Sequence, residues 1–470
     1  MVDVLTFITL LVLLLLRTLR LVAWVQQKEY RWDRLWLFFQ TAEGKFELVR
    51  LVPSLSELVR FRFKRPHQTV RALITSGLCI IVEGVAIFTF TAWMGLASAM
   101  LILLCVLPII VVLVGVVPSL GKEGYTNWLL SSAQKKVQKI NPFIIGITGS
   151  FGKTSTKLLL SHVLSQYDAV FFTPASFNTP LSVAQSILKG FSDQQLMILE
   201  FAAYKKGEIA RLVRFFTPQL VILTGLTDQH VGLFGSRAAI GQAKAELVTH
   251  LESRSTVILG SESATEILQA AGKSDARIKH AQSVAITGSL TTAGYLQITC
   301  EKKTWTTQLV GMHSLALVQT VAVAAEACGL PLTECCVRIA AFTPSAHFLR
   351  IRKLASGAEC IDDSGTSNQV GFEAALAVLA QRKESRTIVI FSGIVDLGVH
   401  SEGIHAKLAQ QVGKLGAECW YVGTAGKETF VKILGSACVT DENEIQKKMP
   451  KLKPGDTVLL EGRMPSWIAL

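Results

Sequence analysis

The residue types best suited to chemistry lie in one short run, residues 146–157, which read GITGSFGKTSTK. The apolar residues 143–145 before it predict a buried strand, and residues 157–164 predict the first turns of a helix. Between a strand and a helix N-terminus, glycines let the backbone approach a phosphate, and unpaired N–H groups point at it. Lys153 can bring a charge to the β- and γ-phosphates of ATP, and Thr154 can offer a hydroxyl to Mg²⁺. The run therefore predicts an ATP-binding loop.

The spacing of this loop leaves a second interpretation open. The usual P-loop has its first glycine at the position that Ile147 occupies here, so the predicted loop, Gly149 to Thr154, is a shortened variant. A glycine-rich turn that enters an ordinary helix would show the same residues. The strand before it and the helix after it favour phosphate binding.

Polar and small residues recur downstream, near the ends of predicted strands. They occur in the order Asn178-Thr179-Pro180, Glu200, Thr227-Asp228, His230, Gly235-Ser236 and Lys244. In this order and spacing they resemble the Mur ligase family, and within it most of all the members that add D-alanyl-D-alanine in peptidoglycan synthesis. The resemblance is strong over residues 140–250, is weaker from there to residue 470, and does not cover the first 120 residues.

The resemblance implies an ATP-dependent ligase that forms a carbon–nitrogen bond between an acid and an amino acid. Members of the family transfer the γ-phosphate of ATP to a carboxylate, and an amine then attacks the acyl phosphate. The amine would be an amino acid or a short peptide, and the carboxylate would belong to a cell-envelope precursor. Because phosphoryl transfer depends mainly on positioning and electrostatics, few side chains need to react.

The resemblance also implies which residues act on ATP. Lys153, Lys244 and His230 would be the catalytic residues. The residues that would contact ATP are Gly149, Ser150, Phe151, Gly152, Lys153, Thr154, Ser155, His313 and Asp362. Lys244 matches a lysine that is carbamylated in several members of the family, and a plain cationic lysine would still attract the acyl phosphate.

Substrate and metal contacts are implied in the same way. The residues that would face the substrate are Asn178, Thr179 and Asn368. Thr154 and Glu200 would bind one Mg²⁺. His230 would serve a second ion, together with Lys244 if that lysine is carbamylated.

Each of these residues also has an ordinary structural interpretation. Glu200 could be a solvated residue at a strand end, and His230 a loop histidine without a ligand. Lys244 could be a surface residue paired with Glu246, and Asn178 could only stabilise the turn that precedes Pro180.

The second half of the chain departs from the family pattern. Ser314 and Leu317 stand where the family has asparagines that reach toward the adenine, and Glu461 stands where it has a lysine. Asp362 keeps the acidic residue on the ribose side. The changed positions include those that meet the incoming amine, so the resemblance implies the core reaction and leaves the amine unidentified.

The order of predicted elements indicates an α/β protein. Predicted strands lie at 143–147, 169–172, 196–200, 220–223 and 256–259, and then at 359–361, 387–391, 419–422 and 457–460. Their alternation with amphipathic helices predicts a parallel-sheet P-loop ATPase domain over residues 141–345, with ligands at the carboxyl ends of the strands. A smaller α/β domain is predicted over residues 346–470. Residues 121–140 are a predicted polar linker and residues 1–120 a predicted membrane module.

The composition indicates a membrane protein, since 50% of the 470 residues are hydrophobic and only 17% are charged. Residues 5–25, 72–93 and 95–117 are apolar enough to predict about three transmembrane helices, each able to cross about 30 Å of hydrocarbon. A cleaved signal peptide is the alternative for the first of them. The sequence lacks the basic start and the small-residue cleavage site of such a peptide.

The distribution of charge predicts the orientation. Basic residues cluster in segment 17–71, whereas the turn near Met94 is uncharged. The positive-inside rule places that segment and everything after residue 117 in the cytoplasm, where ATP is available. The protein is therefore predicted to lie in the inner membrane, as a multi-pass protein with cytoplasmic catalytic domains. The net charge of +12 also suits nucleic acid, but without a zinc-binding spacing or an RNA-binding signature no such partner is predicted.

Two classes of function remain. The family's peptidoglycan ligases begin with a domain that binds the UDP end of the substrate, and a membrane module stands in its place here. A membrane-bound or lipid-linked acceptor is therefore predicted for a ligase. The alternative is a membrane-anchored nucleotide-binding protein with a regulatory or scaffold role. The altered C-terminal motifs favour the second class, and the five retained residues Lys153, Thr154, Glu200, His230 and Lys244 favour the first.

Overall fold

The computed structural model describes residues 4–468 except 29, 31, 55–56, 58–62, 121, 166–168, 204, 229, 252, 273, 366, 383–384 and 466. The chain divides into two compact units, Met1–Trp128 and Leu129–Leu470. Three basic residues of segment 17–71, namely Arg31, Arg60 and Arg62, lie outside the described residues.

The N-terminal unit is helical throughout its described elements. Its helices are α1 (Val4–Gln27), α2 (Trp32–Gln40), α3 (Ala42–Val49), α4 (Val70–Met94) and α5 (Leu96–Leu120). In the described part of the chain, three helices are long and apolar enough to cross a membrane, over Val4–Gln27, Val70–Met94 and Leu96–Gly115. The predicted number of such helices is therefore confirmed. Gly95, with φ +81°, makes the tight turn between α4 and α5.

A helix replaces the predicted linker. Residues Lys122–Ile140 form α6, and its apolar side chains at 129, 130, 133 and 137 are buried in the core of the ATPase domain. These positions recur at helical spacing, so one face of the segment packs although its composition is polar.

The ATPase domain is built on a parallel sheet of six strands in the order β2-β3-β1-β4-β5-β6. Its strands are β1 (Phe143–Thr148), β2 (Val170–Phe172), β3 (Leu196–Glu200), β4 (Leu220–Leu223), β5 (Thr256–Leu259) and β6 (Arg277–His280). Its helices are α7 (Lys153–Ser165), α8 (Pro180–Gly190), α9 (Glu208–Val213), α10 (Val231–Phe234), α11 (Arg237–Ala245), α12 (Ala264–Ala271), α13 (Ser314–Ala327) and α14 (Leu332–Ala340). β1 is central, so the loop that follows it lies in the middle of the sheet's carboxyl edge.

Four strands of this region were not predicted. One of them is β6. The other three form a small antiparallel sheet of β7 (Thr287–Leu290), β8 (Tyr295–Cys300) and β9 (Lys303–Val310). β6 is an edge strand whose side chains are mostly exposed, so it carries no apolar run. In β8 buried and half-exposed residues alternate, which gives a weaker signal than a strand buried on both faces.

The C-terminal domain is a second α/β layer with the strand order β10-β11-β15-β12-β13-β14. Its strands are β10 (Arg350–Lys353), β11 (Glu359–Asp363), β12 (Arg386–Phe391), β13 (Glu418–Tyr421), β14 (Cys438–Val439) and β15 (Asp456–Glu461). Its helices are α15 (Gln369–Leu379), α16 (Ser401–Lys414), α17 (Lys427–Leu434) and α18 (Glu442–Lys448). β10 pairs with β11 in antiparallel fashion, and the other described strands of this sheet pair in parallel. The smaller α/β domain predicted from the sequence is thus present.

Candidate active site

The loop after β1 is folded tightly against the end of β4. Gly149 has φ +151°, and a Cβ atom on it would lie 1.9 Å from Thr224 Oγ1, so no other residue fits there. Ser150 N donates to the carbonyl of Gly225 at 2.8 Å. Helix α7 then begins at Lys153, so the predicted arrangement of strand, glycine-rich loop and helix N-terminus is formed.

Two lysines converge on one carbonyl oxygen of this loop. Lys153 Nζ donates to Gly149 O at 2.7 Å, and Lys244 Nζ donates to the same oxygen at 2.9 Å. Burial lowers the pKa of Lys244 well below its usual value, and the neighbouring charge of Lys153 lowers it further. Burial also lowers the pKa of Lys153, although the charge of Glu200 opposes this. The site therefore favours an uncharged amine at Lys244.

The surface interpretation of Lys244 is wrong. Its side chain is buried, with 5% exposed. Glu246, the proposed surface partner, instead accepts hydrogen bonds from the backbone N–H groups of Gly207 and Ala210, at 2.7 and 2.9 Å.

Glu200, the last residue of β3, is also buried, with 1% exposed, so it is not a solvated strand end. Its Oε2 accepts from Thr154 Oγ1 at 3.0 Å and lies 3.2 Å from Lys157 Nζ, and its Oε1 accepts from Asn178 Nδ2 at 2.9 Å. Burial alone would raise the pKa of this carboxyl. The charges of Lys153 and Lys157 and the hydrogen bond from Asn178 outweigh burial and hold the pKa below its usual value. Glu200 is therefore a fixed carboxylate beside the loop.

Lys157 is a member of this cluster that the sequence did not single out. It is fully buried, and besides Glu200 its ammonium contacts Thr173 Oγ1 at 3.4 Å and the carbonyl of Ala175. One sequence signal was available, because Lys157 lies one helical turn after Lys153 and therefore on the same face of α7. Its contacts tie β3, α7 and the segment before Asn178 together.

We expect the replacement Lys157→Met to destabilise the protein. It leaves the buried Glu200 carboxylate without its ion-pair partner, a change that typically lowers the free energy of unfolding by about 3 kcal/mol or more. The melting temperature of the full-length protein in detergent should then fall by roughly 6–12 °C.

The matched control is Lys407→Met, which removes an ion pair of similar length, 2.8 Å to Glu373 Oε1, but with 55% of the lysine side chain exposed. This change should lower the free energy of unfolding by less than about 1 kcal/mol. Equal shifts for the two variants would show that the Lys157–Glu200 pair does not organise the site.

His230 joins the ATPase domain to the C-terminal domain. Its Nδ1 lies 3.5 Å from Asp396 Oδ2, and the N–H of Gly232 donates to the carbonyl of Asp396 at 3.2 Å. Burial lowers the pKa of His230, Asp396 opposes this, and the charges of Lys244 and Lys153 lower the pKa further. The imidazole is therefore neutral near pH 7 and lies within electrostatic reach of both lysines. Asp396 was not among the predicted site residues.

The remaining predicted residues have structural contacts of their own. Thr179 caps α8 by accepting from Ser182 N at 3.3 Å, and Asn368 caps α15 by accepting from Gly371 N at 3.0 Å. Their substrate roles stay predictions. His313 directly precedes α13 and is exposed.

Asp362 is held inside the C-terminal domain. Its Oδ2 accepts from Arg352 Nε at 3.0 Å and Arg350 Nη2 at 3.2 Å, and its Oδ1 accepts from Ser364 Oγ at 2.6 Å. Burial would raise the pKa of Asp362, but Ser364 and Arg352 hold it below its usual value. Its predicted contact with ATP therefore competes with two arginines.

The donor set suits a metal ion only in company with phosphate. The described residues contain no cluster of three or more His, Cys, Asp or Glu side chains that could hold an ion. Mg²⁺ is commonly bound by one or two protein oxygens together with nucleotide phosphates and water. The Thr154 hydroxyl and the Glu200 carboxylate, 3.0 Å apart, fit that pattern. The second ion at His230 and Lys244 stays a prediction.

The central part of this chain is similar in sequence to known proteins. Residues 147–321 match the family model of the Mur ligase middle domain. A Synechocystis protein named UDP-N-acetylmuramoyl-tripeptide–D-alanyl-D-alanine ligase is 40% identical over 121 residues, which cover 26% of this chain and 27% of that protein. The Mycobacterium leprae protein of the same name is 30% identical over 263 residues, 50% of each chain. The chain thus spans about half the length of these relatives, or less.

Solved structures share the fold. A MurF structure from Acinetobacter baumannii superposes with a TM-score of 0.62 at 21% identity and covers 72% of this chain and 77% of that chain. The MurF ligase of Thermotoga maritima, solved in complex with ADP, superposes with a TM-score of 0.62 at 19% identity and covers 73% and 81%. At such identities the likeness establishes the fold, and the predicted fold class is confirmed.

Proposed function

We propose, since residues 147–321 match the family model of the Mur ligase middle domain, that this protein is an ATP-dependent ligase. It would join an amino acid or a short peptide to a carboxylate of a cell-envelope precursor. The observation that carries the proposal is the convergence of Lys153 and Lys244 on one loop carbonyl, with the Thr154–Glu200 pair beside them. The curated relatives named above are ligases of this class.

The proposed reaction has two displacement steps. An oxygen of the acceptor carboxylate attacks the γ-phosphorus of ATP, the bond to the β-phosphate oxygen breaks, and ADP leaves. The amine then attacks the carbonyl carbon of the acyl phosphate and loses a proton, and inorganic phosphate leaves with the electron pair of the C–O bond. The first step brings two negative groups together, and in the second step negative charge grows on the carbonyl oxygen and on the leaving phosphate. Positive charge held at the loop therefore lowers both barriers.

The protein's part in these steps is positioning and electrostatics. Lys153 lies at the N-terminus of α7, where its ammonium adds to the positive end of the helix dipole. Thr154 and Glu200 are the side chains that fit Mg²⁺, which neutralises phosphate charge when it is bound with ATP. Lys244 shares the carbonyl of Gly149 with Lys153, and His230 lies within electrostatic reach of both lysines.

We further propose that the ligase acts at the membrane and that its acceptor is membrane-bound or lipid-linked. The three candidate spanning helices support this. So do their exposed apolar side chains, such as Phe88 and Trp93 on α4, which are 83% and 89% exposed. Lipid is a suitable environment for so many outward-facing apolar groups.

A labelling experiment tests the proposed orientation. A cysteine at Lys45→Cys, an exposed position of α3 in segment 17–71, should resist a membrane-impermeant maleimide in intact cells and react after permeabilisation. A cysteine at Met94→Cys, in the turn between α4 and α5, should react in intact cells. The reverse pattern would overturn the orientation, and reaction of both sites in intact cells would overturn membrane insertion.

The ligase proposal itself is tested by product formation. Purified full-length protein is incubated with ATP, Mg²⁺, candidate lipid-linked carboxylates, and a panel of amino acids and dipeptides. ADP release that requires both an acid and an amine, with the amide identified by mass spectrometry, is the expected result. ATP binding without ADP release under every combination would refute it.

One observation favours the alternative function, a nucleotide-binding regulatory or scaffold protein. Asp362 is the residue that the resemblance places beside the ribose, and it is already paired with Arg350 and Arg352. ATP binding that changes the melting temperature but gives no turnover would support this alternative.

A further inference from the structure

A recess in the N-terminal unit carries several basic side chains. It opens beside the point where the apolar part of α1 ends, and the space in it that water-sized groups can occupy is about 20 Å³. Its basic lining residues are Arg17, Arg20, Arg50 and Lys64. Leu16, Val52 and Phe63 form part of its apolar wall. This space holds about one group of the size of a water molecule, so most of a larger ligand would lie at the opening of the recess.

Two of the four basic residues are neutralised by carboxylates. Arg20 forms ion pairs with Glu47 at 2.6 Å and with Glu57 at 2.9 Å. Arg50 pairs with the same Glu57 and lies 3.9 Å from Glu47. Both carboxylates are therefore already engaged.

Arg17 and Lys64 have no carboxylate partner among the residues that the structure describes. Arg17 is buried, with 4% exposed, and its Nη2 donates to the carbonyl of Leu48 at 2.8 Å. Its Nε and Nη1 are buried and have no hydrogen-bond partner within the described residues. Lys64 Nζ donates to Gln27 Oε1 at 3.1 Å and lies over the Trp24 ring. The recess therefore carries an excess of positive charge, and Arg17, which lines it, has two buried nitrogen atoms without a hydrogen-bond partner within the described residues.

Burying a guanidinium costs free energy unless its N–H groups find hydrogen-bond acceptors and its charge is balanced. One water molecule could accept the hydrogen bonds of Arg17 Nε and Nη1, but it would not balance the positive charge of the recess. An anionic oxygen satisfies both requirements, and its hydrogen bonds with a charged donor are stronger than those of water.

The surface that leads to the recess is apolar. On α1, Ile8, Leu11, Val12 and Leu15 are 50%, 46%, 48% and 44% exposed. Their spacing places them on one face of the helix. Val12 lies one turn before Leu16, which lines the recess. A hydrocarbon chain that lies along this face past Val12 would bring its polar end to the recess at Leu16. Arg17 lies on the opposite side of α1, so the polar end would reach it through the recess that both residues line.

We propose that the recess binds a phosphate group carried on a lipid. One phosphate oxygen enters the recess and accepts hydrogen bonds from Arg17. Lys64 faces the rest of the phosphate at the opening, and the hydrocarbon chain lies along α1. Two sources share this chemistry: an anionic phospholipid and a polyprenyl phosphate. The site lies within the N-terminal unit, so it goes beyond the proposed ligase activity and requires no ATP.

Native mass spectrometry of the full-length protein in detergent tests the proposal. The probes are phosphatidylglycerol, a polyprenyl monophosphate, diacylglycerol as a lipid without phosphate, and inorganic phosphate. The wild-type protein should retain both phosphate lipids in preference to diacylglycerol. Arg17→Gln should weaken their binding roughly tenfold or more, because charged hydrogen bonds are lost. The control Lys45→Gln, which removes an exposed charge from α3, should leave the binding unchanged.

Lys64→Gln is the second test variant, in case Arg17→Gln does not fold, as its melting temperature would show. It should also weaken lipid binding. The ratio of the two lipid affinities then identifies the source of the phosphate. Equal lipid binding by the wild type and both variants would overturn the site. Binding of inorganic phosphate with no gain from a lipid chain would overturn the lipid assignment. ADP release is not measured, so these outcomes are independent of the ligase proposal.

Discussion

Replacement of Lys153 by alanine is expected to lower the rate of ATP-dependent ligation by about 10³-fold or more. The lysine is the loop cation nearest the predicted β- and γ-phosphates, and its ammonium is held on Gly149 O at 2.7 Å. Alanine removes that charge where negative charge accumulates in the transition state. The backbone of the loop is unaffected, because Gly149 and Ser150 are held by β4 and the residues after it.

The control for Lys153→Ala is Lys414→Ala, which removes an exposed lysine at the end of α16. Both variants should keep the wild-type melting temperature within a few degrees, and only Lys153→Ala should lose ADP release in the presence of acceptor and amine. Wild-type turnover by Lys153→Ala would show that another group holds the phosphates.

Residues at strand ends could be found from the sequence, because the carboxyl ends of parallel strands meet at one edge of the sheet. Gly149 to Thr154 follow β1, Glu200 ends β3, and His230 follows β4, so each was recognisable from an apolar run and the polar residue after it. The hydrogen bond between Thr154 and Glu200 is the direct result of this geometry.

Contacts between distant parts of the chain could not be found in this way. The spacing of Lys157 from Lys153 places the two lysines on one face of α7, but only the structure shows that Lys157 is buried against Glu200. Asp396 meets His230 because the loop after β12 packs on α10, where Gly232 and Gly398 allow the two backbones to approach. Such a contact depends on how two domains pack, and no local pattern encodes it.

In the N-terminal unit, the number of basic residues in the sequence says least about which of their charges remain unpaired in the structure. The sequence showed a basic segment and explained it by the positive-inside rule. The structure divides those charges: Arg20 and Arg50 are neutralised by Glu47 and Glu57, whereas Arg17 is buried without a carboxylate among the described residues. The positions of the carboxylates, which composition cannot supply, decide which charges remain available to a ligand.

The loss of Lys244 has the second large expected effect, and its chemistry separates two models. A carbamate forms when an uncharged lysine amine attacks carbon dioxide and releases a proton. Burial and the charge of Lys153 lower the pKa of Lys244 well below its usual value, so the reactive form of the amine is available near pH 7. On the resemblance to the Mur ligases, with which this lowered pKa is compatible, we propose that Lys244 is carbamylated and acts as a carboxylate beside His230.

Lys244→Ala should then reduce ligation by about 10²-fold or more, since a charged group that orders the site is lost. A short carboxylic acid such as acetate should restore part of the rate, because it can occupy the space of the carbamate. Lys244→Arg should remain inactive, since a guanidinium keeps its positive charge and forms no carbamate. The steady-state rate of ADP release measures all three, with melting temperatures as the check on folding. If Lys244 works as a plain cation, Lys244→Arg should retain substantial activity and acetate should rescue nothing, so an active arginine variant would reject the carbamate.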